Sequence, residues 1–122
     1  MSPWNGVVAV IDNDPGILSA MKRLFSVYDC ETELYASAAE FLEAAATSKA
    51  SCLIVDIKLG DISGVELALQ LREARFTFPI IFMSACDDGV IERQAIEAGC
   101  IAYLRKPFSA ELLMRALDKV RL

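Results

Sequence analysis

Strand-sized apolar runs alternate with helix-period segments along the chain, and this alternation restricts the fold more than any other feature of the sequence. The runs are Val7–Ile11, Cys52–Val55, Ile80–Met83 and Ile101–Leu104, with a weaker one at Glu31–Tyr35. The first three of these are nearly continuous in apolar residues, a pattern expected of strands covered on both faces. Between the runs lie helical patterns. Ile17, Leu18, Met21, Leu24 and Phe25 recur at helix spacing from Pro15 to about Tyr28. Ser37 with Glu40 forms a capping box opening a helix to about Ala46, and Ser63 with Glu66 forms another ahead of Leu67, Leu69 and Leu71. A fourth helix is expected from about Gly89 to Ala98, stopped by Gly99, and a fifth after Ser109 using Leu112, Leu113, Ala116, Leu117 and Val120. Strand and helix thus alternate five times, which implies an α/β fold with a parallel sheet and helices on both faces. No linker or repeat interrupts the pattern, so residues 1–122 read as one domain, with no output or effector domain in this chain.

Composition removes several classes of function. Hydrophobic residues make up 55% and charged residues 24% of 122, a globular composition. The net charge of −5 repels phosphate and argues against nucleic-acid binding by this domain. The chain has no histidine, which excludes Ser-His-Asp and Cys-His catalysis, His-ligated metals and a phosphohistidine relay on the chain itself. The longest apolar runs, Val7–Ile11 and Phe78–Met83, are far too short to span a membrane. The start of the chain lacks a signal-peptide pattern, so a cytoplasmic location is expected. Cys30, Cys52, Cys86 and Cys100 form no metal or redox motif and are expected to be free thiols.

In a parallel sheet the carboxyl ends of all strands point to one edge, where ligands bind. The first run is followed there by Asp12-Asn13-Asp14, the third ends in Asp56, the fourth in Ser84, and the fifth leads into Arg105-Lys106-Pro107. Each residue has a plainer role when taken alone. Asp14, followed by Pro15, reads as a helix cap; Asp56 starts a turn, Ser84 caps a loop, and Lys106 is a solvated charge. Four complementary groups at four strand ends make those separate readings a poor joint explanation. Neighbouring carboxylates repel unless a cation sits between them, and a hard divalent ion such as Mg²⁺ suits all-oxygen donors. A carboxylate can also attack phosphorus, and the developing phosphoryl charge then needs a metal, an ammonium and a hydroxyl donor.

These segments resemble the receiver domain of two-component response regulators, in particular the receivers of nitrogen-fixation and NarL-like transcription regulators. The likeness is carried by Val10-Ile11-Asp12-Asn13-Asp14-Pro15, by Val55 to Gly64, by Met83-Ser84-Ala85 and by Leu104-Arg105-Lys106-Pro107-Phe108. It covers essentially the whole chain. The resemblance implies a single flavodoxin-like (βα)5 domain with strand order 2-1-3-4-5. It implies that Asp56 accepts phosphate from a sensor histidine kinase or phosphotransfer protein. Ser84, Ala85 and Lys106 would contact the phosphoryl group, and Ser84 and Tyr103 would act as switch residues. Pro107, after a cis bond, would shape its loop. Mg²⁺ would be held by Asp12, Asn13, Asp56 and the backbone carbonyl of Lys58. The face of the fourth helix, fifth strand and fifth helix would carry the signal, commonly by homodimerisation, to an output domain or effector outside this chain. The implied activity is self-catalysed phosphotransfer to Asp56 and autodephosphorylation, not turnover of an external substrate.

The sequence departs from the family pattern at three places. Asn13 stands where a second metal-binding acid is usual, so weaker Mg²⁺ binding is expected. Leu59-Gly60-Asp61 replaces the commoner Met-Pro-Gly and is expected to keep a turn with little other effect. Lys58 and Cys86 occupy positions that influence water access to the phosphoryl group. Asn13 motivates one competing reading, a phosphorylation-independent receiver-like interaction module. A second is a small haloacid-dehalogenase-type phosphatase with Asp12 as nucleophile and Asp14 as acid, which leaves Asp56 without a role. A flavodoxin-like electron carrier fits less well, since acids rather than a phosphate loop follow the first strand.

Overall fold

A computed structural model describes residues 6–85 and 88–120. The elements are β1 (Val7–Ile11), α1 (Pro15–Val27), β2 (Glu31–Tyr35), α2 (Ala38–Ala44), β3 (Cys52–Asp56), α3 (Gly64–Glu73), β4 (Ile80–Ser84), α4 (Gly89–Glu97), β5 (Ala102–Arg105) and α5 (Ala110–Asp118). The five strands form one parallel sheet in the order β2-β1-β3-β4-β5.

Adjacent residues on each central strand enter different cores, which is why these strands read as unbroken apolar runs. Val8, Val10, Ile54 and Met83 pack with Met21 and Phe25 of α1 and with Leu113 and Leu117 of α5. Ala9, Ile11, Leu53, Val55 and Phe82 pack on the other face with Phe41 of α2, Leu67 and Leu71 of α3 and Ala95 of α4. Phe25, Phe41 and Phe82 are fully enclosed, each stabilising the fold by about 1.5–3 kcal/mol through burial. At the edge, β2 has water on one side, and its mixed Glu-Thr-Glu-Leu-Tyr composition follows from that place.

Local chemistry sets the element ends. Side chains of Asp14, Ser37, Ser63, Asp88 and Ser109 cap the five helices by accepting from first-turn N–H groups. Gly99 follows α4 with φ +86, a conformation that favours glycine. Three bounds differ from the sequence expectation, one being that α5 ends at Asp118, short of Val120. α2 ends at Ala44 rather than near Ala46, because the N–H and Oγ1 of Thr47 both donate to the Ala44 carbonyl and turn the chain away. β5 starts at Ala102, which pairs with Ile81, and runs on to Arg105. Cys30, Cys52 and Cys100 form no disulfide among the described residues; Cys86 lies outside them.

The join between β3 and α3 is tightly packed. A Cβ on Gly64 would stand 2.5 Å from the Asp56 carbonyl oxygen, whereas a Cβ on Gly89 would meet nothing within 4 Å. Gly64→Ala is therefore expected to destabilise the domain by about 1–3 kcal/mol through forced backbone movement. Gly89→Ala is expected to be neutral or slightly stabilising. Urea-denaturation midpoints of the two variants check this.

Candidate functional site

Parallel pairing carries the ends of β1, β3, β4 and β5 to one edge, and the residues just beyond them gather there. Among the described residues the buried polar or charged side chains are Asp12, Asp56 and Ser84, 1%, 8% and 2% exposed. All three lie at this edge. Such groups are costly to bury without partners, so the sheet is not their only support. The Lys106 ammonium stands 3.2 Å from Asp12 Oδ2 and 3.2 Å from Asp56 Oδ1. It joins residues 94 and 50 positions apart in sequence. The backbone fixes where it stands: the Lys106 N–H donates to the Ser84 carbonyl at 2.8 Å, and the Lys106–Pro107 bond is cis.

One ammonium faces two carboxylates, so one negative charge is uncompensated. Burial, and then the charge of Asp12, push the Asp56 carboxyl above its ordinary value, while Lys106 partly opposes them. The other Asp12 oxygen, Oδ1, accepts from the Asp14 N–H at 2.9 Å. Asp14 itself is exposed and turned to α1, where its Oδ1 accepts from the Gly16 N–H at 2.8 Å, the capping role expected of it.

The other predicted site residues lie around this centre at different depths. Asn13 is exposed, and its Nδ2 lies 3.3 Å from where a Cβ on Gly60 would stand, so it adjoins the loop after β3. The side chain of Lys58 is exposed, while its main chain bridges to Ser63. Ala85 is exposed next to the buried Ser84. Tyr103 packs against the α2–α3–α4 side of the core, and its hydroxyl is buried without a hydrogen-bond partner among the described residues. The edge thus offers two carboxylates, a carboxamide and main-chain carbonyls. That all-oxygen set with surplus negative charge fits a hard divalent cation, although no cluster of three or more His, Cys, Asp or Glu exists among the described residues.

The sequence reading missed Asp61. Its Oδ2 accepts from the Ala39 N–H at 3.0 Å, and its Oδ1 from Ala38 at 3.4 Å and Ile62 at 2.9 Å. The Ala39 bond holds the carboxyl below its ordinary value. The loop keeps its turn, as expected, but also reaches across to α2. Nothing local in the sequence signals a bond over 22 residues.

Comparison with known proteins gives one consistent family. The family model described as "Response regulator receiver domain" matches residues 8–118. The response regulator protein TodT of Pseudomonas putida is 33% identical over 96% of this chain and 52% of its own length. The receiver domain of the Francisella response regulator 1452 superposes with a TM-score of 0.87 at 26% identity, covering 95% of this chain and 96% of that one. Full-length FixJ from B. japonicum has the same fold, with a TM-score of 0.87 at 23% identity over 99% of this chain and 61% of that one. The chain spans about half the length of the curated relatives it matches.

The raised Asp56 carboxyl has a consequence for stability. Its protonated form is favoured in the fold, so that contribution is fully present below the ordinary carboxyl value of 3.8 and is lost as pH rises through the higher folded value. Asp56→Asn, neutral at every pH, is therefore expected to be more stable than the parent at pH 7. The advantage should fade as pH falls into the carboxyl range. Denaturation curves of both proteins across pH 3–8 check the sign.

Proposed function

The chain belongs to the response regulator receiver domain family, and from that premise we propose that Asp56 is its phosphoacceptor. Receiver domains are signalling domains of two-component systems rather than classical enzymes, and they generally use Mg²⁺ at the phosphorylation site. The observation that carries the reading is the Lys106 ammonium held at 3.2 Å from Asp56 Oδ1.

In the proposed step an Asp56 carboxylate oxygen attacks the phosphorus of a phosphohistidine on a partner kinase or phosphotransfer protein. The phosphorus–nitrogen bond breaks, and the imidazole leaves with its electron pair. The Lys106 ammonium, 3.2 Å from the attacking carboxylate, would meet the charge that develops on the phosphoryl oxygens with little reorganisation. The buried Ser84 hydroxyl and the neighbouring Ala85 would complete the phosphoryl contacts. Asp12, Asn13, Asp56 and the Lys58 carbonyl would hold Mg²⁺, which supplies positive charge that stabilises the transferring group. Asn13 contributes an oxygen without charge, so the affinity would be lower than with two adjacent acids. Autodephosphorylation would return the domain to rest.

Phosphorylation would shift an inactive–active equilibrium through Ser84 and Tyr103. The orphan hydroxyl of Tyr103 supports a residue with a second position to occupy. The α4–β5–α5 face would pass the signal to a second copy or to an output domain. Support comes from the exposed Val90 and Ile96 of α4 and Leu112 of α5, and from the Arg105–Glu92 ion pair joining β5 to α4. Residues 1–122 would be the receiver alone, with the output elsewhere. A cytoplasmic setting follows from a kinase partner; no helix of the described residues is long and apolar enough to cross a membrane.

The phosphatase alternative is not favoured. Asp12 is almost fully buried with both oxygens engaged, and Asp14 is committed to capping α1. The phosphorylation-independent reading is decided by experiment.

Incubation with acetyl phosphate and Mg²⁺ should add one phosphate to the intact protein, with loss of acetate, and none to Asp56→Asn. An adduct surviving in the variant would overturn the assignment. Absence from both proteins would favour the phosphorylation-independent module. A carboxylate restored by Asn13→Asp should tighten Mg²⁺ by about an order of magnitude, in line with the effect of ligand charge on divalent sites. Isothermal titration with the metal alone measures this.

A further inference from the structure

We propose that Asp61 is a positioning residue for the Asp56 site, fastening the 57–63 loop to the first turn of α2 and thereby fixing the loop against the metal-holding residues. The inference rests on the assignment of Asp12, Asn13, Asp56 and the Lys58 carbonyl made above.

The first turn of α2 presents three N–H groups without helical partners, those of Ala38, Ala39 and Glu40. Ser37, the helix's own cap, serves Glu40 at 3.1 Å. Ala38 and Ala39 donate instead to Asp61, from another element. A third bond, from the Ile62 N–H, orients the same carboxylate from within the loop. The contact is therefore built from both sides.

The loop it holds is otherwise secured at its base and by one apolar anchor. The Gly64 N–H donates to the Ile57 carbonyl at 2.8 Å, Lys58 bridges to Ser63, and Leu59 is 2% exposed. The tip, Gly60 to Ile62, lies beyond these anchors. On the α4 side the loop borders an open cavity of about 480 Å³, lined also by Val65, Ile91 and Gln94. That side leaves room for the loop to move. Asp61 restrains it from the α2 side, and the neighbouring Gly60 is the residue against which Asn13 lies. Releasing Asp61 would free the tip to shift toward the cavity, disturbing both Asn13 and the Lys58 main chain.

The test is titration of ¹⁵N-labelled protein with Mg²⁺ alone, followed by amide resonances, for the parent, Asp61→Ala and Asp61→Asn. Asp61→Ala removes bond and charge together. Asp61→Asn keeps one acceptor oxygen, which can turn to the Ala39 N–H, but its amide nitrogen cannot accept, so it gives up the bonds on the other oxygen together with the charge. The expected result is a Kd for Mg²⁺ raised about tenfold in Asp61→Ala, the lower end of what losing a supporting bond costs a metal site. Asp61→Asn should fall between the parent and Asp61→Ala, weakening Mg²⁺ by no more than about threefold, since one oxygen can still hold the loop to α2. Amide exchange at Ala39 should quicken in Asp61→Ala and not in Asp61→Asn. Equal parent-like affinity in all three proteins would overturn the proposal. Equal weakening in both variants would also overturn it, because the bond to Ala39 retained in Asp61→Asn would then have made no difference. A parent protein that binds no Mg²⁺ would instead overturn the metal assignment itself, and this inference with it.

Discussion

The Lys106 ammonium, shared between two buried carboxylates, is the interaction on which the rest of the site depends. Asp12 and Asp56 come from β-strands that pair with each other, and the fold has no way to separate them. Left alone, two such charges in a site shielded from water repel strongly. Lys106 lowers that cost and ties the end of β5 to the centre of the sheet. It does not abolish the cost, since the Asp56 carboxyl remains displaced upward by burial and by Asp12. The site is thus held in a state that a further positive charge or a neutralised Asp56 would relieve. A bound divalent cation would act on that same surplus, whereas the phosphoryl group proposed for Asp56 would add to it and would need the cation and Lys106 the more.

Much of the fold was legible because both faces of the central strands are covered. Burial on two sides demands continuous apolar runs, and short runs separated by helical periodicity leave few topologies. The edge strand β2 was the faintest signal because one side of it meets solvent. The early end of α2 had a local cause outside any periodicity: Thr47 closes the helix with two bonds to one carbonyl.

The site was legible for a related reason. Polar residues directly after apolar strands are conspicuous, and parallel topology brings all such residues to one edge. Asp12, Asp56, Ser84 and Lys106 are of this kind. Asp61 is not. It sits in a polar turn where an acid is unremarkable, and its partners are main-chain N–H groups of alanines 22 and 23 residues away. Backbone donors leave no trace in a sequence, so a bond of this sort becomes visible only when α2 and the loop are placed side by side.

The charge balance of the edge also gives Asn13 a physical meaning. A carboxylate there would add a third negative charge beside Asp12 and Asp56, against the single ammonium of Lys106. Before any cation arrives, repulsion would rise and the Asp56 carboxyl would be driven further from ionisation. The amide avoids that repulsion and still carries a neutral oxygen donor. For the proposed Mg²⁺ the cost would be a weaker attraction, since that attraction depends on charge the amide lacks. A resting domain with Asn13 is therefore less strained electrostatically and would be less ready to gather the proposed cation. The remaining donors would then have to be well placed, and the proposed restraint of the 57–63 loop would carry more weight than beside two adjacent acids.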